Sequence, residues 1–192
     1  MKKILFVLVA CVLFTLSANA QKVRYGVKAG LNYSDSKVKV GLDYLDSEVK
    51  GISVDTDAIF TLNAGVFAQI DLTNRFLVQP ELLFTQAGAK YIEKAYLNYI
   101  ALPVMAKYKL SDAFCLEFGP QIGYLVSAKN DGNDVSAGFK DYALNLNIGV
   151  DYLINQNILV GVRYSHGLNN ISSISGLDMK SRQFQLSVGY IF

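Results

Sequence analysis

Charges of both signs stand on the small or polar side of otherwise apolar alternations in this chain. Arg24, Lys28, Lys107 and Arg163 oppose Glu81, Glu117 and Asp151. If that side faces the inside of a narrow barrel, each charge leaves water and must meet an opposite one. Two chemistries follow. Fully paired, the charges make a salt-bridged plug that holds the interior rigid. Incompletely paired along a wet lumen, they line a narrow path for ions or small solutes. Glu81 and Glu117 are the residues to test, because removing one partner of a buried pair costs about 3–5 kcal/mol.

Other constellations are weaker. His166 is the only histidine. A lipid-modifying enzyme in a barrel would set a His beside a Ser and an acid near the outer rim. Ser165 adjoins His166, but neighbouring residues of a strand face opposite sides, so they cannot form a hydrogen-bonded nucleophile and base. Ser172, Ser173 and Ser175 follow at greater distance. Residues 130–134 read Asn-Asp-Gly-Asn-Asp, which lacks the spaced ligands and distal Glu of a calcium loop and suits a turn. No catalytic, cofactor or metal site is expected.

The elements that place these residues are strands. Residues 182–192 put Phe184, Leu186, Val188, Tyr190 and Phe192 on one side, and Gln183, Gln185, Ser187 and Gly189 on the other. That is the period of a strand with one bulky apolar face. The same spacing predicts strands over 23–33, 58–70, 76–86, 96–109, 113–127, 141–153 and 158–166. Each has the length of a tilted membrane span, roughly 9–11 residues. Long connections alternate with short ones, as external loops alternate with periplasmic turns. The longest, 34–57, carries Val38, Val40, Leu42 and Tyr44 in alternation, so the first hairpin is expected to continue beyond the membrane. Outward aromatics fall into two sets. Tyr25, Phe76, Tyr108, Phe114, Tyr152, Tyr190 and Phe192 lie near the short turns; Phe60, Phe84, Tyr124, Tyr142, Tyr164 and Phe184 lie near the loops. Two such belts are what the two bilayer interfaces select. Pro80, Pro103 and Pro120 interrupt strand patterns and predict bulges or irregular pairing.

The expected fold is therefore an all-β, eight-stranded antiparallel transmembrane up-and-down β-barrel. The alternative is a soluble barrel of lipocalin type, with its apolar face inside. Glycines, amides and mixed charges suit a crowded lumen better than a solvated exterior.

The start of the chain reads as a signal peptide: Lys2 and Lys3, an apolar stretch over 4–16, then Ala18-Asn19-Ala20 as a cleavage site. The expected organisation is a signal over 1–20 and a barrel domain over 21–192, placed in the outer membrane after Sec-type export. An uncleaved anchor and a lipoprotein cleaved before Cys11 are the alternatives. Lys2 and Lys3 account for the net charge of +2. The remainder is neutral, which gives no support to nucleic-acid binding. Cys115 is then the one cysteine left, so an internal disulfide and a cysteine-pair zinc site are excluded.

Several stretches resemble a known family. They are Gly26-Val27-Lys28-Ala29-Gly30-Leu31-Asn32, Gln79-Pro80-Glu81-Leu82, residues 99–108 (Tyr-Ile-Ala-Leu-Pro-Val-Met-Ala-Lys-Tyr) and Gly119-Pro120-Gln121-Ile122-Gly123-Tyr124. Gly161-Val162-Arg163-Tyr164 and Gly167-Leu168-Asn169-Asn170 add to the likeness. Together they are similar to the outer-membrane β-barrel domain of Bacteroidetes, the PorT-like or "porin family" group. The resemblance implies the barrel fold and no known active site. It also implies that a few relatives serve a machine that secretes proteins across the outer membrane. The expected partners are outer-membrane lipid and a protein met through the external loops. The expected state is a monomer.

Overall fold

The computed structural model describes residues 22–40, 52–55, 57–90, 94–130 and 133–192. The signal segment and its cleavage site, with residues 41–51 and 56 of the first long loop, Leu42 and Tyr44 among them, lie outside the described residues. The strands in chain order are β1 (Val23–Val40), β2 (Ile52–Asp55), β3 (Ile59–Asp71), β4 (Phe76–Lys90) and β5 (Lys94–Lys109). Then come β6 (Phe114–Asn130), β7 (Asn133–Asp134), β8 (Tyr142–Leu153), β9 (Ile158–Gly167) and β10 (Leu177–Ile191). Eight long strands form a closed antiparallel barrel; β2 and β7 are short additions to outer hairpins. Closure is made by β1 on β10, paired from Gly26↔Ile191 to Val40↔Leu177. Closure pairs the first long strand with the last, as lipid demands, because nothing there can satisfy a free backbone group.

Burial follows the alternation in the sequence, inverted with respect to a soluble barrel. On β10, Gln183, Gln185 and Ser187 are buried while Phe184, Leu186, Val188 and Tyr190 are exposed. The outer wall is apolar all round, and the lumen is packed with amides, hydroxyls and charges. That inversion excludes the lipocalin-type alternative and matches a wall solvated by hydrocarbon.

Rings pair across strands at both ends of this wall. Near the short turns, Phe76 meets Tyr108 at 4.8 Å and Phe114 meets Tyr152 at 4.7 Å. Near the loops, Tyr33 meets Phe60 at 5.4 Å and Tyr164 meets Phe184 at 4.8 Å. On β1 the belts are marked by Tyr25 and Tyr33, both about half exposed. Their separation is roughly 27 Å along the strand at ~3.4 Å per residue. At a tilt of ~40° that is roughly 20 Å of height, close to the ~25 Å apolar band of such barrels.

The first hairpin continues beyond the membrane as expected, and the β4–β5 hairpin runs further outward than the pattern predicts. Residues 34–40 continue β1, and β2 returns against them from Lys37↔Asp55 to Val40↔Ile52. The expected connection over 88–95 is mostly strand, with β4 and β5 paired as far as Lys90↔Lys94. Once above the membrane, a hairpin no longer needs an apolar outer face, so the alternation fades while the ladder persists. The three prolines shift no register: β4–β5 and β5–β6 resume the same register beyond them, and pairing merely lapses beside Pro80 and Pro103. The bulge lies elsewhere, on β6, where Asn98↔Ser127 is followed by Tyr99↔Leu125. Val126 is the extra residue, and past it the inward side passes to Ala128.

Candidate functional site

Midway along the lumen, strands β1, β4, β5, β6, β8 and β9 each deliver one charge to a single cluster. Arg163 is its hub. Its Nη1 and Nη2 donate to Glu81 Oε2 and Oε1 at 2.9 and 2.8 Å. Its Nε and Nη2 donate to Glu117 Oε1 and Oε2 at 2.6 and 2.9 Å. The planar guanidinium thus grips two carboxylates at once, which an ammonium cannot do. Lys28 Nζ donates to both oxygens of Glu81 at 3.4 Å. Lys107 Nζ lies 3.4 Å from Glu117 Oε2 and also binds Asp151 Oδ2. Every side chain in the cluster is buried.

Lys28, Lys107 and Arg163 balance Glu81, Glu117 and Asp151, so the layer is neutral. Amides extend it. Gln79 Nε2 donates to Glu81 Oε1 at 2.6 Å, and Gln69 Nε2 donates to Gln79 Oε1 at 2.9 Å. Glycines make room for it. Gly149 is the cross-strand partner of both Glu117 and Arg163. A methyl there would sit 2.7 Å from Glu117 Oε1 and 2.6 Å from the Val162 carbonyl oxygen. Gly161 stands in the same relation to Asp151.

Further layers lie on either side. Toward the short turns, Phe67, Leu159 and Ile191 pack together with Leu153. Beside them a cavity of about 140 Å³ at the mouth reaches as far as Lys107 and Asp151. Toward the loops, Asn32 Nδ2 donates to Thr85 Oγ1 at 3.3 Å, and Asn63 Nδ2 donates to Asn32 Oδ1. Above these, Ala87, Leu97, Tyr99, Ala128, Ala143 and Ile171 form an apolar cluster, joined by Phe139 and Met179. Two outer loops hold this lid in place. Phe139 bridges Ser172, Lys140 N donates to Ile171 O at 2.8 Å, and Ser173 N donates to Gly138 O at 2.9 Å. The lumen is thus filled by a charged layer at mid-height and an apolar lid above it.

Six of the residues singled out in the sequence meet in this cluster. Arg24 does not. It sits at the mouth, where Nη2 lies 3.6 Å from Asp71 Oδ2, and Lys109 takes the other oxygen of Asp71 at 2.9 Å. The side chains of this group are partly exposed. Alternation gives the face of a residue and says nothing of its depth, and Arg24 lies at the very start of β1. His166 points outward, with Nδ1 3.3 Å from the Tyr164 hydroxyl, while Ser165 is buried on the lumen side. No nucleophile and base are brought together there. In the stretch 130–134, Asp134 Oδ1 accepts from Ser136 N at 2.9 Å, and the bonds from Ser136 hold its carboxyl below the usual range. Among the described residues, no group of three or more His, Cys, Asp or Glu is placed to hold a metal ion. The lid was not foreseen: Ile171 falls in a connection read as polar, and the apolar residues scattered through it, among them Ile171 and Met179, are the one signal that could have found it.

The model of the outer membrane protein beta-barrel domain family matches residues 19–173. The chain belongs to this family. The match is to the general family and supports no narrower Bacteroidetes or PorT-like assignment. β10, which closes the family barrel here, lies beyond the matched stretch. Among solved structures, the barrel is similar to Neisserial surface protein A, at 12% identity and a TM-score of 0.56, over 88% of this chain and 97% of the other. It is similar too to the outer membrane protein OprG from Pseudomonas aeruginosa, at 15% identity and a TM-score of 0.50, over 90% and 97%. At such identities the likeness is one of fold. No curated protein matches the chain.

Proposed function

We propose that this barrel is a non-enzymatic outer-membrane protein with a closed lumen, acting through its outer loops on a partner or on the envelope itself. The observation that carries this reading is the joint filling of the lumen by the charge cluster and the apolar lid. An eight-stranded barrel leaves an interior just wide enough for side chains. Here those side chains bond to one another, so an ion would have to displace a carboxylate from Arg163 in order to pass. What remains to meet other molecules is the outer rim, where the first hairpin and the interlocked loops project.

Single-channel recording of the refolded barrel in a planar bilayer tests this, once a heat-dependent gel shift has shown that it is folded. Silence is expected from the wild-type protein. Reproducible steps that change with Glu81→Gln or Glu117→Gln would favour the second reading, a narrow pore for ions or small solutes. The observation on that side is the mouth cavity, which reaches Lys107 and Asp151. A secretion accessory is a third reading and rests on the sequence resemblance alone. Secreted cargo retained in the periplasm of a strain lacking the gene would support it, and normal secretion would end it.

A further inference from the structure

The barrel wall is split between β3 and β4 in its outer half. Both strands run on outward, β3 to Ile59 and β4 to Lys90, yet their ladder ends at Asn63↔Thr85. Their other partners do not let go: β3 stays on β1 as far as Ser34↔Ile59, and β4 stays on β5 as far as Lys90↔Lys94. The closing pair β1–β10, by contrast, is laddered over its full height.

Side chains replace the missing backbone bonds. Asn32 Nδ2 donates to Leu62 O at 3.2 Å and to Gln86 O at 3.1 Å, so one amide spans the split. Thr61 Oγ1 donates to Gln86 O at 2.6 Å. Gly88 N donates to Ser34 Oγ at 3.0 Å, bypassing β3. These bonds meet the rule that carbonyls and amides away from water must be paired. They do so while holding the two strands apart.

On the outer face the split opens a cleft of about 350 Å³, at the lower end of the ~300–1,000 Å³ usual for small-molecule sites. One wall is apolar: Leu31, Phe60 and Leu62, the last two 72% and 58% exposed. The other wall is tipped with polar atoms from Gln86 and Tyr96, and Thr61 of β3 also lines the cleft. Gln86 begins a row of polar groups along the outer face, its Nε2 donating to Asn98 and Asn98 Nδ2 to Ser127, each at 2.9 Å. The cleft lies at the height of the Tyr33–Phe60 belt, where hydrocarbon gives way to polar headgroups.

We propose that this cleft is a binding site for one membrane lipid, with an acyl chain along Leu31, Phe60 and Leu62 and the polar linkage at its head against Gln86 and Tyr96. The cleft is continuous with the lipid-facing wall, so its occupant arrives from the bilayer. A molecule apolar on one flank and hydrogen-bonding on the other matches its two walls. The site rests on the wall being in lipid and is independent of whether the lumen is closed.

The test uses the folded protein in phosphatidylethanolamine vesicles doped with a phosphatidylethanolamine that carries a photoactivatable diazirine in the upper part of one acyl chain. After irradiation, labelled residues are mapped by mass spectrometry. Labelling of Phe60, Leu62 and Tyr96 is expected to exceed severalfold that of Ile148 and Val162, exposed apolar residues on the continuously laddered pair β8–β9. Leu62→Trp, which fills the cleft, should bring the excess down to that level, and Val162→Trp should leave it intact. The wild-type pattern alone carries the result, so no variant need fold. Labelling of Phe60, Leu62 and Tyr96 no greater than that of Ile148 and Val162 overturns the site. Label on neither set would overturn the membrane placement as well.

Discussion

Arg163 and Arg182 sit on neighbouring antiparallel strands, and each grips a carboxylate through two nitrogens. Arg182 binds Asp35 at 3.1 and 2.7 Å near the outer rim, and the side chains of that pair are 27% and 29% exposed. Arg163 binds Glu81 and Glu117 with side chains no more than 3% exposed. The bond lengths barely differ; the surroundings do. At the rim, water competes for both partners and salt screens them, so the pair contributes about 0–1 kcal/mol. In the lumen, water has been stripped from every member, and each charge survives because the others are present. The cluster is therefore a poor source of net stability and a strong source of dependence: losing any one member strands the rest.

Substitutions can break that comparison, and the largest effect belongs to the hub. Arg163→Met removes the cation shared by two carboxylates and is expected to cost about 3–5 kcal/mol, or to prevent folding. Urea titration of the folded barrel in micelles, followed by the heat-dependent gel shift, reads it as a lowered midpoint. Glu117→Gln keeps the shape and removes one charge, leaving Arg163 and Lys107 short of a partner. By the same titration it should cost about 3 kcal/mol, at the low end of that range because Glu81 and Asp151 still answer the two cations. Gly149→Ala alters no charge and presses a methyl against Glu117 and the β9 backbone, for about 1–3 kcal/mol. At the rim, Arg182→Met should fall below about 1 kcal/mol and vanish in high salt. A rim effect as large as the hub's would show that depth does not set the difference.

The sequence made much of this legible, for a physical reason. In a closed barrel each strand must show lipid one face and the lumen the other, so a period of two reports the side of every residue. Lys28, Glu81, Lys107, Glu117, Asp151 and Arg163 were all readable as inward. Depth was not readable, which is why Arg24 belongs to the mouth. Nor was anything that depends on two strands together. The bulge at Val126 and the parted outer halves of β3 and β4 arise from how neighbours pair, and neither strand carries them alone. Asn32 illustrates the limit: it reads as one more lumen amide, while its bonds to Leu62 and Gln86 span the split in the wall. The apolar lid was hidden for a related reason, since loops 135–141 and 168–176 have no period to betray what they cover.

The central claim, that packed side chains close the lumen, is tested most directly by proton flux. Vesicles containing the folded barrel and a trapped pH-sensitive dye would be given a sudden step in external pH. A closed lumen predicts an internal response no faster than in vesicles without protein, at any protein density. A response that quickens in proportion to the amount of barrel, and changes again with Glu117→Gln, would contradict it.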